Sequence, residues 1–309
     1  MRFESLHSAP TLGRLPRARA TSRPGAIPAQ PKPNIAPSGR ERGISERLSE
    51  RADAAVMPDA RLTSLSVVLP CHDEEGNVAQ AVREAGAAAR ATALDHEILV
   101  VDDGSTDATR RLAGACAADD PRVRVLGHDH NRGYGAALRT GIAAARCDWI
   151  LLTDADLQFD LGELRDFVAP AADHDLLVGY RLARMDPLHR RLNAYACNRL
   201  VDRVFALDVR DVDCAFKLIR RDLAQRLRLT AAGAMISTEL VARAALAGAR
   251  IGEFGVHHRP RTAGRQSGAD PAVVIGAFRE LRRIRAELDA TTLPPRAPSP
   301  TEPPHPAAA

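Results

Sequence analysis

Proline is scarce through the middle of this sequence. Six of its 21 prolines fall between residues 61 and 290, and the other fifteen lie outside that stretch. Few helix and strand breakers over so long an interval mark the region that folds. The flanks read differently. The leader is rich in Arg, Pro, Ser and Ala, the tail reads TTLPPRAPSPTEPPHPAAA, and neither carries an apolar period. The expected organisation is a disordered leader over 1–62, one folded domain over 63–289 and a disordered proline-rich tail over 290–309. Cysteine is sparse as well. Cys71, Cys116, Cys147, Cys197 and Cys214 are odd in number, scattered, and form no C-x-x-C pair. That excludes a zinc ribbon or a disulfide frame and fits reduced thiols in the cytosol.

Long apolar runs are missing too. None approaches the roughly eighteen residues that cross a bilayer, and the leader has no apolar core of a signal peptide. The expected location is cytoplasmic, soluble or peripheral on the inner face of the membrane. Charge of one sign is absent from the domain. The first sixty residues hold ten basic and six acidic side chains, which is the whole net charge of +4. From Arg61 onward the signs cancel, so nothing supports binding to nucleic acid. The leader reads either as a basic arm for acidic lipid or nucleic acid, or as the product of a start codon placed too early, with Met57 the natural start. The G-x-G-x-x-G of dinucleotide binding and the G-K-[ST] of a P-loop are also lacking; NRGYGAALRTG is a glycine-rich helix entry of another kind.

What is present is an alternation. SVVLP (Ser66–Pro70), EILVVDD (Glu97–Asp103), RVRVLGH (Arg122–His128), WILLTD (Trp149–Asp154) and LLVGY (Leu176–Tyr180) are short apolar runs, continuous as in strands buried on both faces. Alanine-rich helical stretches separate them at Asn77–Thr92, Asp107–Ala118 and Tyr134–Arg146. The pattern predicts an α/β fold, a mostly parallel sheet with helices on both faces. Ligands of such sheets bind beyond the carboxyl ends of the strands. Acids crowd those ends here: PCHDEE after the first, DDGSTD after the second, DADLQ after the fourth.

Crowded carboxylates repel and are costly to desolvate unless something positive lies between them. Asp154 and Asp156, two apart on an extended exit, can face one way, and with the amide oxygen of Gln158 they offer hard ligands for Mg²⁺ or Mn²⁺. A plainer reading is that acids end strands and open helices, with Asp160 capping a helix from Leu161. Asp103, at the end of a strand, can accept from a base or a ribose, while Ser105 or Asp107 reads as a helix cap.

The motifs PCHDEEGNV, VVDDGSTDAT, NRGYGAALRTG, DADLQ, DVDCAFKLIRR and STEL, in this order, resemble the family 2 glycosyltransferases. The likeness is greatest to the branch of dolichol-phosphate mannosyltransferases and bacterial polyprenyl-phosphate sugar transferases, over about residues 64–268. It implies a GT-A fold, a nucleotide-diphospho-sugar donor such as GDP-mannose or a UDP-sugar, a divalent metal, and inversion at the anomeric carbon. By position it assigns Pro70, His72 and Glu74 to the nucleotide loop, Val101 and Asp103 to ribose and base, and Asp154, Ala155, Asp156 and Gln158 to metal and diphosphate. Arg181 matches an arginine after the fifth strand, and Arg261 one that grips phosphates. His72 and Asp73 replace the usual Tyr and Asn, and Ser267 stands where a lysine is common.

A polyprenyl phosphate acceptor, largely dianionic at neutral pH, needs cations rather than a base. Arg181, Arg190, Arg191 and Arg199 can hold it, or form a solvated face. A hydroxyl acceptor (lipid, polysaccharide or small metabolite) needs a carboxylate to take its proton, and Glu239 and Asp213 are the candidates; each can equally be structural. A non-catalytic nucleotide-sugar binder is the remaining alternative. Residues 271–288, with Val274, Phe278, Leu281, Ile284 and Leu288 opposite Arg279, Arg282 and Arg283, form an amphipathic helix that either lies on an anionic bilayer or packs on the protein itself.

Overall fold

Runs of β-branched and leucine residues, too apolar for a surface strand, form the centre of a sheet that is covered on both sides. The computed structural model describes residues 60–182, 209–260, 280 and 283–287, all within one unit, Met57–Ala309. Its strands are β1 (Leu62–Cys71), β2 (Ala93–Asp102), β3 (Val123–Gly127), β4 (Trp149–Leu152), β5 (Leu176–Arg181), β6 (Lys217–Arg220) and β7 (Ile251–Val256). They lie in the order β3-β2-β1-β4-β6-β5-β7. The first four neighbours pair parallel, β6 runs antiparallel to both β4 and β5, and β7 is parallel to β5.

Two strands are additional to the five read from the sequence. The four-residue KLIR strand is inserted between β4 and β5, and IGEFGV adds an edge strand. Neither segment has the length or alternation that would mark a strand in sequence.

The helices are α1 (Val78–Thr92), α2 (Thr109–Asp119), α3 (Tyr134–Ala144), α4 (Arg165–Val168), α5 (Arg221–Arg226) and α6 (Ile236–Leu246). One core layer joins α1, α2 and α4 to the face carrying Val67, Leu69 and Ile98. The other joins α3, α5, α6 and Ile284 to the face carrying Val68, Leu99 and Val101. β1 thus contributes to both layers, as its unbroken apolar run requires. Pro70 sits in this central strand without breaking it. The β1–β4 ladder ends at Val68↔Leu152, so the missing N–H of Pro70 falls where no partner waits.

Helix α3 lies close on the sheet because of Gly141. A Cβ there would stand 2.3 Å from Cγ1 of Val68 and 3.3 Å from Cγ2 of Val101. Gly141→Ala is therefore expected to destabilise the fold by about 1–3 kcal/mol through overpacking. An unchanged urea midpoint would show that α3 has room to lift.

Candidate active site

Register sets the carboxyl ends of the central strands side by side. Cys71 of β1 faces Asp102 of β2, the Asp103 amide donates to the Cys71 carbonyl at 2.8 Å, and the Thr153 amide donates to Val68 at 3.3 Å. The loops that follow β1 and β2 are sewn together. The Glu75 amide donates to Asp107 at 3.1 Å and the Ala108 amide donates back to Glu75 at 3.0 Å. Asp73, at φ 53, accepts from the Thr106 amide at 2.8 Å. Glu74 is buried and accepts from Asn77 at 2.6 Å, while His72 is exposed beside Asp73. Pro70 and Val101 are buried within the sheet. The Val101 side chain belongs to the core under α3, so only its backbone is left to meet a ribose.

Beyond β4 the chain turns sharply, with Leu157 at φ 63. Asp160 does cap the short 3₁₀ turn Leu161–Leu164, accepting from the Gly162 amide at 3.0 Å, as the plainer reading expected. Asp154 and Asp156 are another matter. Asp156 is buried and accepts from the Gln158 amide at 3.1 Å. Oδ1 of Asp154 is buried with no hydrogen-bond partner among the described residues. Burial first, then the charge of Asp156, push the Asp154 carboxyl up from 3.8 to about 6, against smaller pulls from Tyr134, Lys217 and Arg181. Burial and the Asp154 charge hold the Tyr134 phenol well above its usual range, so it stays a donor. An orphaned carboxylate oxygen next to a second acid suits a hard divalent cation. The Gln158 side chain donates its Nε2 to the Arg259 carbonyl at 3.1 Å. Ala155, between the acids, is buried.

Arg181 ends β5. Its Nε and Nη2 grip Asp211 at 2.7 and 2.8 Å, a two-pronged pairing that fixes the guanidinium plane. Sequence reading missed the other cation, Lys217. It opens β6, is 1% exposed, and acts on Asp154 electrostatically; burial holds its pKa below the ordinary lysine value. It went unnoticed because the short KLIR segment carries no period that marks it as a strand in sequence.

Two of the candidate acids are turned inward. Asp103 is 3% exposed. Its carboxylate accepts from the Arg132 and Gly133 amides at 2.9 and 2.8 Å and meets Nδ1 of His128 at 2.6 Å. It organises the glycine-rich turn. Glu239, a candidate base for a hydroxyl acceptor or else a structural residue, is fully buried, and its contacts are those of the structural role. It accepts from the Thr230 amide and hydroxyl, from the Ala231 amide at 2.8 Å and from Nε of Arg243 at 2.7 Å. The loop it holds carries Ala232, whose carbonyl accepts from the Gly135 amide at 2.7 Å. A Cβ on Gly133 or Gly135 would come within 2.5 Å of a carbonyl of that loop. Those glycines are there for close approach, and between them Tyr134 enters the site.

Of the amphipathic stretch 271–288, residue 280 and residues 283–287 are described. Ile284 is buried in the core, Glu280 accepts from the Ala232 amide at 2.8 Å, and Glu287 accepts from Arg243 at 2.9 Å. This part packs on the protein's own surface. Arg190, Arg191, Arg199 and Arg261 lie outside the described residues; the chain leading to Arg261 is pinned where the Arg259 amide donates to the Gln158 carbonyl at 2.7 Å.

Residues 66–228 match the model of glycosyl transferase family 2. The chain belongs to that family. Among curated relatives, dodecaprenyl-phosphate galacturonate synthase of Rhizobium johnstonii is 32% identical over 65% of this chain and 60% of its own length. An undecaprenyl-phosphate 4-deoxy-4-formamido-L-arabinose transferase of Shewanella sediminis is 31% identical over 53% of this chain and 50% of its own. The family 2 chain thus spans only about half to three fifths of these relatives. Among solved structures, glucosyl-3-phosphoglycerate synthase from Mycobacterium tuberculosis, with Mn²⁺, UDP-glucose and phosphoglyceric acid, superposes with a TM-score of 0.57 at 17% identity, over 82% of this chain and 85% of that one. The fold is GT-A, as the sequence implied.

Two measurements test the site as described. A carboxyl whose folded pKa lies above its unfolded one keeps its proton in the fold after the unfolded chain has released it. The metal-free family 2 protein therefore loses this part of its stability as pH rises from about 4 to about 6 and regains none above. Asp154→Asn removes that titration, so in EDTA its Tm relative to wild type is expected to climb across the interval. A constant difference would mean the acids are not strained. Glu239→Ala leaves Arg243 buried beside unpaired amides and is expected to cost about 3–5 kcal/mol; a loss under about 1 kcal/mol in urea unfolding would contradict the anchoring role.

Proposed function

We propose that the protein is an inverting glycosyltransferase that moves a sugar from a nucleotide-diphospho-sugar, GDP-mannose or a UDP-sugar, to a polyprenyl phosphate. The observation that carries this reading is the buried, unpartnered oxygen of Asp154 beside Asp156. Asp154, Asp156 and Oε1 of Gln158 would hold Mg²⁺ or Mn²⁺. Bound there, such an ion neutralises the charge of a departing diphosphate. The relatives named for dodecaprenyl- and undecaprenyl-phosphate support the acceptor class.

The chain's own groups have separable tasks. The stitched loops after β1 and β2, with His72 and Glu74, wall the nucleotide side. Arg181, fixed by Asp211, presents a permanent cation within electrostatic reach of Asp154, and Arg261 is assigned to the phosphates. The acceptor phosphate carries its own negative charge and attacks the anomeric carbon from the face opposite the leaving group, with no proton to remove. Peripheral contact with the membrane is part of this proposal, supported by the relatives named for dodecaprenyl- and undecaprenyl-phosphate; among the described residues no helix is long and apolar enough to cross a membrane.

One observation keeps a hydroxyl acceptor as the second reading. Asp213 is exposed on the turn between Asp211 and Cys214, where a carboxylate can take a proton. Transfer of radiolabelled sugar from UDP- and GDP-sugars to undecaprenyl phosphate with Mn²⁺ separates the two. Asp156→Ala is expected to lower it at least about 100-fold, and Asp213→Asn to leave it unchanged. Loss of a general base would cost about 100-fold or more, so a drop of that size in Asp213→Asn would move the assignment to the hydroxyl route, and full turnover in Asp156→Ala would remove the metal site.

A further inference from the structure

The sequence has 43 basic side chains, and only Lys32 and Lys217 among them are lysines. A chain that uses arginine almost everywhere places one of its two lysines at a buried position beside the candidate active site. Lys217 lies in register with Leu152 of β4 and Val178 of β5, both members of the apolar layer under α3. Its stem is unbranched and fits between them. Its ammonium emerges at the strand end and donates to the Val212 carbonyl at 3.0 Å and to the Cys214 carbonyl.

Those carbonyls belong to the turn that the Cys214 amide closes on the Asp211 carbonyl at 3.2 Å. The other end of the same turn is Asp211, whose carboxylate receives both prongs of Arg181 and, at 3.4 Å, its amide. A compact ammonium with three donors on one atom suits two carbonyls at a turn; a planar five-donor guanidinium does not. From this continuous chain of contacts we propose that Lys217 is a positioning residue, which draws the Asp211–Cys214 turn onto the sheet and so sets the plane in which Arg181 meets phosphate oxygen. This rests on the reading of Arg181 as a phosphate-facing cation in the proposed transferase.

The probe is inorganic pyrophosphate with Mn²⁺, titrated calorimetrically into wild type, Lys217→Met, Arg181→Met and the double variant. Lys217→Met keeps the unbranched stem and removes the donors. It is expected to weaken pyrophosphate binding about tenfold, and the double variant to bind no more weakly than Arg181→Met alone, because both changes break one chain of contacts. Hydrogen exchange at the Val212–Cys214 amides is expected to quicken in Lys217→Met. Unchanged binding in Lys217→Met, or losses that add in full in the double variant, would overturn the proposal while leaving the transferase reading in place. Failure of wild type to bind pyrophosphate with Mn²⁺ would instead defeat that reading, and this one with it. Should Lys217→Met not fold, Asp211→Asn breaks the next link with Lys217 intact, and the same tenfold loss and the same non-additivity with Arg181→Met are required of it.

Discussion

Repulsion between two carboxylates at the end of β4 is the constraint around which this fold is arranged. Asp154 and Asp156 are drawn out of water by the strand that precedes them, and their charges raise one another's cost. The surroundings answer with partial compensation: the phenol of Tyr134, the charges of Lys217 and Arg181, and a tight turn with Leu157 in the left-handed region. A leucine held there costs of order 1 kcal/mol or more. The turn persists because the segment after it is pinned, through the Phe159–His258 bridge and the Gln158–Arg259 pairing. Among the described residues Oδ1 of Asp154 is still left without a hydrogen-bond partner, and an oxygen of that kind beside a second acid suits a small, hard cation.

The layer beneath α3 supports that arrangement at a distance. Glu239 and Arg243 on α6 hold the Thr230–Ala232 loop, Glu280 and Glu287 hold it from the other side, and the loop presses its carbonyls against Gly133 and Gly135. Tyr134 is thereby carried to Asp154 by a chain of packed backbone. A buried ion pair of the Glu239–Arg243 kind adds little stability compared with an apolar pair, but removing one partner is costly. Its value here lies in geometry: it admits one position of the loop, and so one position of the α3 N-terminus.

Much of the fold could be read directly from residue order. The continuous apolar runs of β1, β2 and β4 are buried on both faces, and the alternation with helices fixes parallel neighbours. β6 escaped because four residues with a charge at each end have no period, and β7 because its residues are only partly buried. The 271–288 stripe shows the same limit. An amphipathic face looks alike whether it meets lipid or protein, and only contacts decide; Ile284 has its contacts in the core.

The site divides along a different line. Spacing locates acids at strand ends but says nothing of which way they turn. Asp103 and Asp154 are equivalent in sequence, each following an apolar strand. A histidine ring and two amides fill the acceptor sites of Asp103 from within, so it is satisfied before any ligand arrives. Asp154 keeps one buried oxygen for which no hydrogen-bond partner stands among the described residues. Other buried polar atoms share that state, Oδ2 of Asp102 and Oγ1 of Thr153 among them. What sets Asp154 apart is the second acid: the charge of Asp156 presses on its own, and this pairing, rather than the orphaned atom alone, makes the end of β4 the candidate for a cation.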